Sequence, residues 1–419
     1  MTRRKMRAAF GAGAILTAGA LVLTGCGGGS FDDDGGGGAA ADGELTSSDD
    51  PITVLIASSG EAEATAVEDA VAAWSAESGV EASVEIASDL NQQLAQGFAA
   101  GSPPDLFYLS PDALAGYADN GSLRAYGDEL SNAGDFYAPL VENFTYEDEF
   151  YCAPKDFSTL ALIINTDLWE AAGLTEDDVP TTWDELATVS QTLTTGGVTG
   201  LAFGPEVQRV GAFMAQAGGG LVTDGAATAN SDENVEALEY VKTNLQGGNF
   251  AYATDIGAGW GGEAFGLGSA AMVIEGNWIE GAMRNDYPDV NYLVAQLPEG
   301  PGGPGTLQFT NCWGMAADSP NQQGALELVE YLTASEQQLA FSEAFGIMPS
   351  LETTADAWRE ANPDLAAFID GAEYAQFLPT QADAAAVITD FNAQLESLAE
   401  SDPATILDSV QGNLEAVVG

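Results

Sequence analysis

Apolar positions change period in a regular way along the chain. Residues 51–57, PITVLIA, form a short apolar run rich in β-branched side chains, the mark of a buried strand. After SSGE, Val67, Ala70, Val71 and Trp74 recur at three- and four-residue spacing, which places them on one helix face. VEASVEIA at 80–87 alternates as a strand, 90–100 returns to helical spacing, and PPDLFYL at 103–109 reads as another buried strand. Strand and helix in alternation predict an α/β protein with a mostly parallel sheet, helices on both faces, and binding loops at the carboxyl ends of the strands. The loops SSGE at 58–61 and YLSPD at 108–112 would line such a cleft, so Glu61 and Tyr108 are candidate binding residues. Each has a plainer role open to it: Glu61 as an acid at a helix start, Tyr108 as the last buried residue of its strand.

A second half repeats the pattern without repeating the sequence. LALIIN at 160–165 reads as a strand, TTWDELATVSQTL at 181–193 as a helix capped by Thr182 with Glu185 at the capping-box position, and GLAFG at 200–204 as a strand. AAMVIEGNW at 270–278 is a further strand, ending in glycine, asparagine and tryptophan. The body, from about Pro51 onward, is long enough for two lobes rather than one core.

The N-terminus follows other rules. Arg3, Arg4, Lys5 and Arg7 precede an apolar run over 8–23, shorter than the roughly 20 residues a membrane-spanning helix needs, so the segment reads as an export signal. Leu23, Thr24, Gly25 and Cys26 resemble the lipobox of bacterial lipoproteins. That resemblance implies a signal peptide over 1–25, acylation of Cys26, and a chain held by lipid alone on the extracytoplasmic face of the cell membrane. Residues 26–50 are dominated by glycine, serine and aspartate, offer little to bury, and are expected to form a flexible tether.

Composition removes several function classes. Against 64 acids stand 10 basic residues, four of them in the signal, so nucleic acid is not expected as a partner. The chain has no histidine, which excludes a Ser-His-Asp triad, a Cys-His pair and a histidine-ligated metal. FDDDG at 31–35 lacks the ligand spacing of a calcium loop, and neither metal nor cofactor is expected. A glycosidase built on two carboxylates stays compatible with the sequence, although no pair stands out.

Several separated stretches share one likeness. YCAPKDFSTLALIINTDLWEAAGL, PTTWDEL, GWGGEAFGLGSAAMVIEGNW, FTNCWGMAADSP and FGIMPSL, in that order, resemble the extracellular solute-binding proteins of ABC importers, in particular the carbohydrate-binding branch that includes maltose-binding protein. The resemblance implies a periplasmic-binding-protein-like fold of two α/β lobes joined by crossing hinge strands: 51–153 with 312–349 as lobe 1, 154–311 with 350–419 as lobe 2. It implies a monomer that closes on a sugar or oligosaccharide without a chemical step and delivers it to a membrane permease.

The same resemblance assigns site residues. Trp278 would lie beneath a sugar ring, with Gly276 permitting close approach and Asn277 beside it; Asp156, after Pro154 and Lys155, would accept from sugar hydroxyls. Trp260 in GAGWGG, Trp313 after the second crossing strand, Asn311 and Phe377 complete the candidates. Every one of these tryptophans would serve equally well as core packing. Cys152 and Cys312 fall on strands that the resemblance makes neighbours, which implies a disulfide in an exported protein. Two other functions stay open: a lipid-anchored glycoside hydrolase, and a receptor for a cationic ligand such as a polyamine, which would suit the acidity.

Overall fold

The computed structural model describes residues 43–418 apart from 59, 224 and 382. The signal segment, Cys26 and most of the expected tether lie outside the described residues.

Strand β1 (Ile52–Ile56) pairs in parallel with β2 (Ala82–Ile86) and β3 (Leu106–Leu109), and helices α1 (Glu61–Ser78) and α2 (Leu90–Ala100) make the crossovers. Helix α1 buries Val67, Ala70, Val71 and Trp74, the face that the spacing predicts, and stops at Gly79, whose φ of 79° is a left-handed conformation suited to glycine. Further along come β4 (Pro154–Asn165), α3 (Trp183–Leu193), β5 (Thr199–Phe203), α4 (Val207–Ala217), β6 (Phe250–Tyr252) and β7 (Ala270–Gly276). Then follow α5 (Ile279–Asn285), β8 (Tyr292–Ala295), β9 (Thr306–Met315), α6 (Gln322–Leu332) and β10 (Ala375–Gln376). Thr182 caps α3 by accepting the Glu185 N–H at 3.4 Å, as expected. The Glu185 carboxylate does not return to Thr182 but accepts the N–H and hydroxyl of Thr181, both at 2.8 Å, one residue outside the capping box.

Among the described residues one sheet runs in the order β6-β5-β7-β4-β9-β3-β1-β2, with β8 on β4 and β10 on β9. The expectation of a mostly parallel sheet needs correction. Each end is parallel, but β4 runs antiparallel to β7, β8 and β9, and β9 antiparallel to β3. The antiparallel joins fall where β4 and β9 cross the sheet in opposite directions, a layout that periodicity within one segment cannot reveal. The result is an α/β fold of the periplasmic-binding-protein type with a mixed sheet.

The apolar core shows the same crossing. One cluster gathers β1, β3, α1, Cys152 and α6; a second gathers β5, α3, α4 and the C-terminal residues Val387 to Leu414. Strand β9 feeds both, sending Leu307 to the second cluster and Cys312, Trp313 and Met315 to the first. A third cluster, around Phe157, Phe265, Ile279 and Trp358, lies under α5 and β8. In the ladder between β4 and β9, Asn311 faces Asp156 and Cys312 faces Pro154, with a bulge between the two β9 residues. Cys152 and Cys312, 160 residues apart, are joined as a disulfide with Cα atoms 5.7 Å apart.

The tether reading also needs correction at its end. Residues 43–50 are fastened to the body: Gly43 O accepts from Arg124 at 3.0 Å, the Thr46 hydroxyl donates to Ser319 O at 2.8 Å, and Thr46 O accepts the Gln323 N–H at 2.9 Å. Leu45 packs on the first cluster. The glycine run has ended by Glu44, and LTS supplies one apolar side chain plus groups that satisfy the first turn of α6, whose N–H donors would otherwise lack partners.

Candidate functional site

A cavity of about 670 Å³ opens beside the crossing strands, lined by Lys155, Asp156, Phe309 and Asn311 from β4 and β9, by Glu63 and Tyr108 from the first half, and by Asn277 and Trp278 from the second. Phe309 and Thr310 also line a neighbouring cavity of about 410 Å³, whose other walls include Asp112, Gln208, Phe377 and Asn392. The two cavities thus share the middle of β9.

The first is floored by charge. Lys155 pairs with Glu63 at 3.3 Å and with Asp156, and stands 4.4 Å from the centre of the Tyr108 ring. The Tyr108 hydroxyl donates to Glu63 at 3.2 Å. All four are buried, and burial alone would lower the Lys155 pKa, but Asp156, Tyr108 and Glu63 outweigh it and hold the ammonium above its ordinary value. Asp156 is pushed upward by burial, which Lys155 offsets only in part. Two buried acids sharing one ammonium give a compact, hydrogen-bonded polar floor.

The opposite wall is aromatic. Trp278 is 38% exposed, unusual for a large apolar side chain here. Its ring lies over Gly276, where a Cβ would fall 2.2 Å from the indole, so glycine leaves room for the ring in this orientation. The indole N–H donates to Glu275 at 3.0 Å, the Arg209 guanidinium lies 5.0 Å from the ring centre, and Phe309 meets the ring edgewise at 5.4 Å. Burial raises the Glu275 carboxyl pKa, and Arg209 then Trp278 offset this in part. Asn277, the first residue past β7, uses its amide N–H on Gly346 O at 2.8 Å and takes its backbone N–H to Ser158.

Tyr108, Asp156, Asn277, Trp278 and Asn311 are therefore brought together around the larger cavity, and Phe377 lines the smaller one. Three candidates line neither. Glu61 is exposed as the first residue of α1, where an acid suits the helix dipole. Trp260 folds over Gly262 at the start of helix Gly261–Gly266 and packs on the third cluster. Trp313 is 1% exposed, edge-on to Tyr108 at 4.8 Å, and fills the core below the floor. Glu63 and the pair Arg209–Glu275 escape the sequence reading. Glu63 lies two residues past Glu61, inside α1 and beyond the loop at 58–61; Arg209 and Glu275 are 66 apart, with no local pattern to link them. A separate cavity of about 540 Å³ is lined by Trp183, Tyr240, Glu236 and Glu299, but its aromatic rings are stacked on each other at 4.3 Å.

A family model described as bacterial extracellular solute-binding protein matches residues 69–367. A putative binding protein of Brucella abortus is 24% identical over 350 residues, covering 78% of this chain and 83% of that one. Among solved structures, the cyclic alpha-maltosyl-1,6-maltose binding protein of Arthrobacter globiformis superimposes with a TM-score of 0.78 at 23% identity, covering 88% of this chain and 99% of the other. An ABC substrate-binding protein of Listeria monocytogenes in complex with cycloalternan gives 0.76 at 21% identity, covering 87% and 98%. Among the described residues no helix is long and apolar enough to cross a membrane.

Proposed function

The chain belongs to the bacterial extracellular solute-binding proteins, a non-enzymatic family, and from that premise we propose that it is a sugar or oligosaccharide receptor that delivers its ligand to an ABC import permease. The observation that carries this reading is Trp278: a ring left substantially exposed, fixed in orientation, and facing a cavity rich in carboxylate, amide and hydroxyl groups. Sugars present flat C–H faces to a ring and hydroxyls to such polar groups. The sugars bound by the Arthrobacter and Listeria neighbours support the same ligand class.

In this reading residues 51–153 with 312–349 form one lobe and 154–311 with 350–419 the other, closing over the ligand by rotation about β4 and β9. Acylated Cys26 anchors a monomer on the extracytoplasmic face of the cell membrane. A two-carboxylate hydrolase is disfavoured by the floor itself, where Glu63 and Asp156 are both spent on Lys155. A cationic ligand gains support from the acids Glu63, Asp156 and Asp286 around the cavity, but the Arg209 guanidinium already occupies the electrostatics of the Trp278 ring.

A thermal-shift screen against malto-oligosaccharides, cyclic tetrasaccharides and spermidine tests the proposal, since a ligand of the native state raises its stability by mass action. The expected result is stabilisation by a sugar that is recovered intact. Stabilisation by spermidine alone, or released monosaccharide, would overturn it.

A further inference from the structure

We propose that the ion pair between the half-buried Arg209 and the buried Glu275 is a positioning device for Trp278, setting the orientation of the indole before any ligand arrives; this rests on the reading of Trp278 as a sugar platform. One oxygen, Glu275 Oε2, accepts from Arg209 Nη2 at 2.7 Å, from Arg209 Nε at 3.2 Å, and from the Trp278 indole N–H at 3.0 Å. The guanidinium so held lies 5.0 Å from the centre of the same ring. Arg209 and Trp278 are therefore registered against each other through a single carboxylate, which is itself 1% exposed and held at the penultimate position of β7.

Packing alone does not account for the arrangement. A buried ion pair costs desolvation that an apolar pair of similar volume avoids, so its presence at this position calls for a role that an apolar pair could not fill. Nothing apolar could accept the indole N–H, and without that acceptor the ring of a residue 38% exposed would keep only its contacts over Gly276 and against Phe309 to orient it. Ordering it would then be charged to binding. A ring ordered in advance removes that cost from the affinity.

The test uses the full mature chain with both positions made apolar, Arg209→Met with Glu275→Leu, so that neither charge is left buried alone. A second variant, Arg209→Met with Glu275→Gln, restores an acceptor for the indole N–H. The first readout needs no ligand: the indole ¹⁵N–¹H resonance of Trp278, identified by its absence in Trp278→Phe, should broaden and exchange with solvent about tenfold faster in the apolar variant, and recover in the glutamine variant. The second readout is affinity for cyclic maltosyl-maltose and maltotetraose, expected to fall about tenfold in the apolar variant and not to fall further when the same changes are made in Trp278→Ala. Unchanged indole exchange, or an affinity loss that persists in the Trp278→Ala background, would overturn the positioning role. Should neither sugar bind the wild-type chain, the sugar reading fails and the indole exchange still decides the inference.

Discussion

Lys155 holds its ammonium 4.4 Å from the centre of the Tyr108 ring while pairing with Glu63 and Asp156, so one cation serves both acids of the buried floor. Replacing it removes the cation from two buried carboxylates. Lys155→Met is expected to cost about 3–5 kcal/mol of stability, the usual result of removing one partner from a buried pair. Urea unfolding measures the loss, which should shrink when Asp156→Asn is added to the same chain. A loss below 1 kcal/mol would mean that the floor is open to water.

Asp156 titrates with a sign that can be read in advance. Its folded-state pKa lies above the 3.8 of an unperturbed aspartate, chiefly through burial. The folded state therefore binds the proton more tightly than the unfolded chain, and the stability this gives is full below 3.8 and lost as pH rises through the folded-state value. The melting temperature of the wild type minus that of Asp156→Asn should thus decline as pH is raised from the acid side. Comparing the two cancels the self-repulsion of a chain with 64 acids, which both share. A difference that grows with pH would contradict the assignment.

Trp278→Ala separates a binding role from a packing role. Loss of a stacking platform should weaken sugar binding by about 1–3 kcal/mol, by analogy with aromatic stacking on nucleic-acid bases. A core tryptophan would instead cost about 3–5 kcal/mol of stability, which the exposure of Trp278 argues against. Titration calorimetry and a melting curve on the same variant decide between them.

These residues also mark how far the sequence can be read. The face of α1, the extent of α2 and strands β1 to β3 were legible because each is written in a local period, and Trp278 because it lies just past an apolar strand that ends in glycine. Trp313 was not distinguishable from Trp278 by any local signal. The sequence reading places both at the end of a strand, and only the pairing of β9 with β3, across some 200 residues of chain, puts one under the floor and the other at the rim. Arg209, Glu275 and Glu63 were missed for the same reason: their partners are chosen by the sheet order.

The disulfide gives a direct chemical check. A soluble variant with Cys26→Ser, denatured without reductant, should show no free thiol; two per chain would refute the Cys152–Cys312 bond. Cys152→Ala with Cys312→Ala should lower stability by at most about 5 kcal/mol, the chain-entropy figure for a loop of this length, with measured values commonly smaller.

Closure should be visible as a change of size. Small-angle scattering of the chain saturated with the sugar found in the thermal screen should give a smaller radius of gyration than the free chain, because the proposed rotation of lobes about β4 and β9 would enclose the cleft. Equal radii would argue for a rigid receptor.

Strands β4 and β9 are laddered from Gln308 to Cys312 and sewn together at one end by the Cys152–Cys312 bond. Sliding one strand by a single residue would turn its side chains to the opposite face and would stretch the crosslink, so slippage is closed to this pair. What is left is torsion. The two strands are held at one end by the disulfide and β3 and at the other by β7, β8 and β10, and Asp156, Phe309 and Asn311, which line the larger cavity, sit on the span between. A ligand resting there would load the twisting element itself rather than a wall beside it, so its shape would be read as an angle.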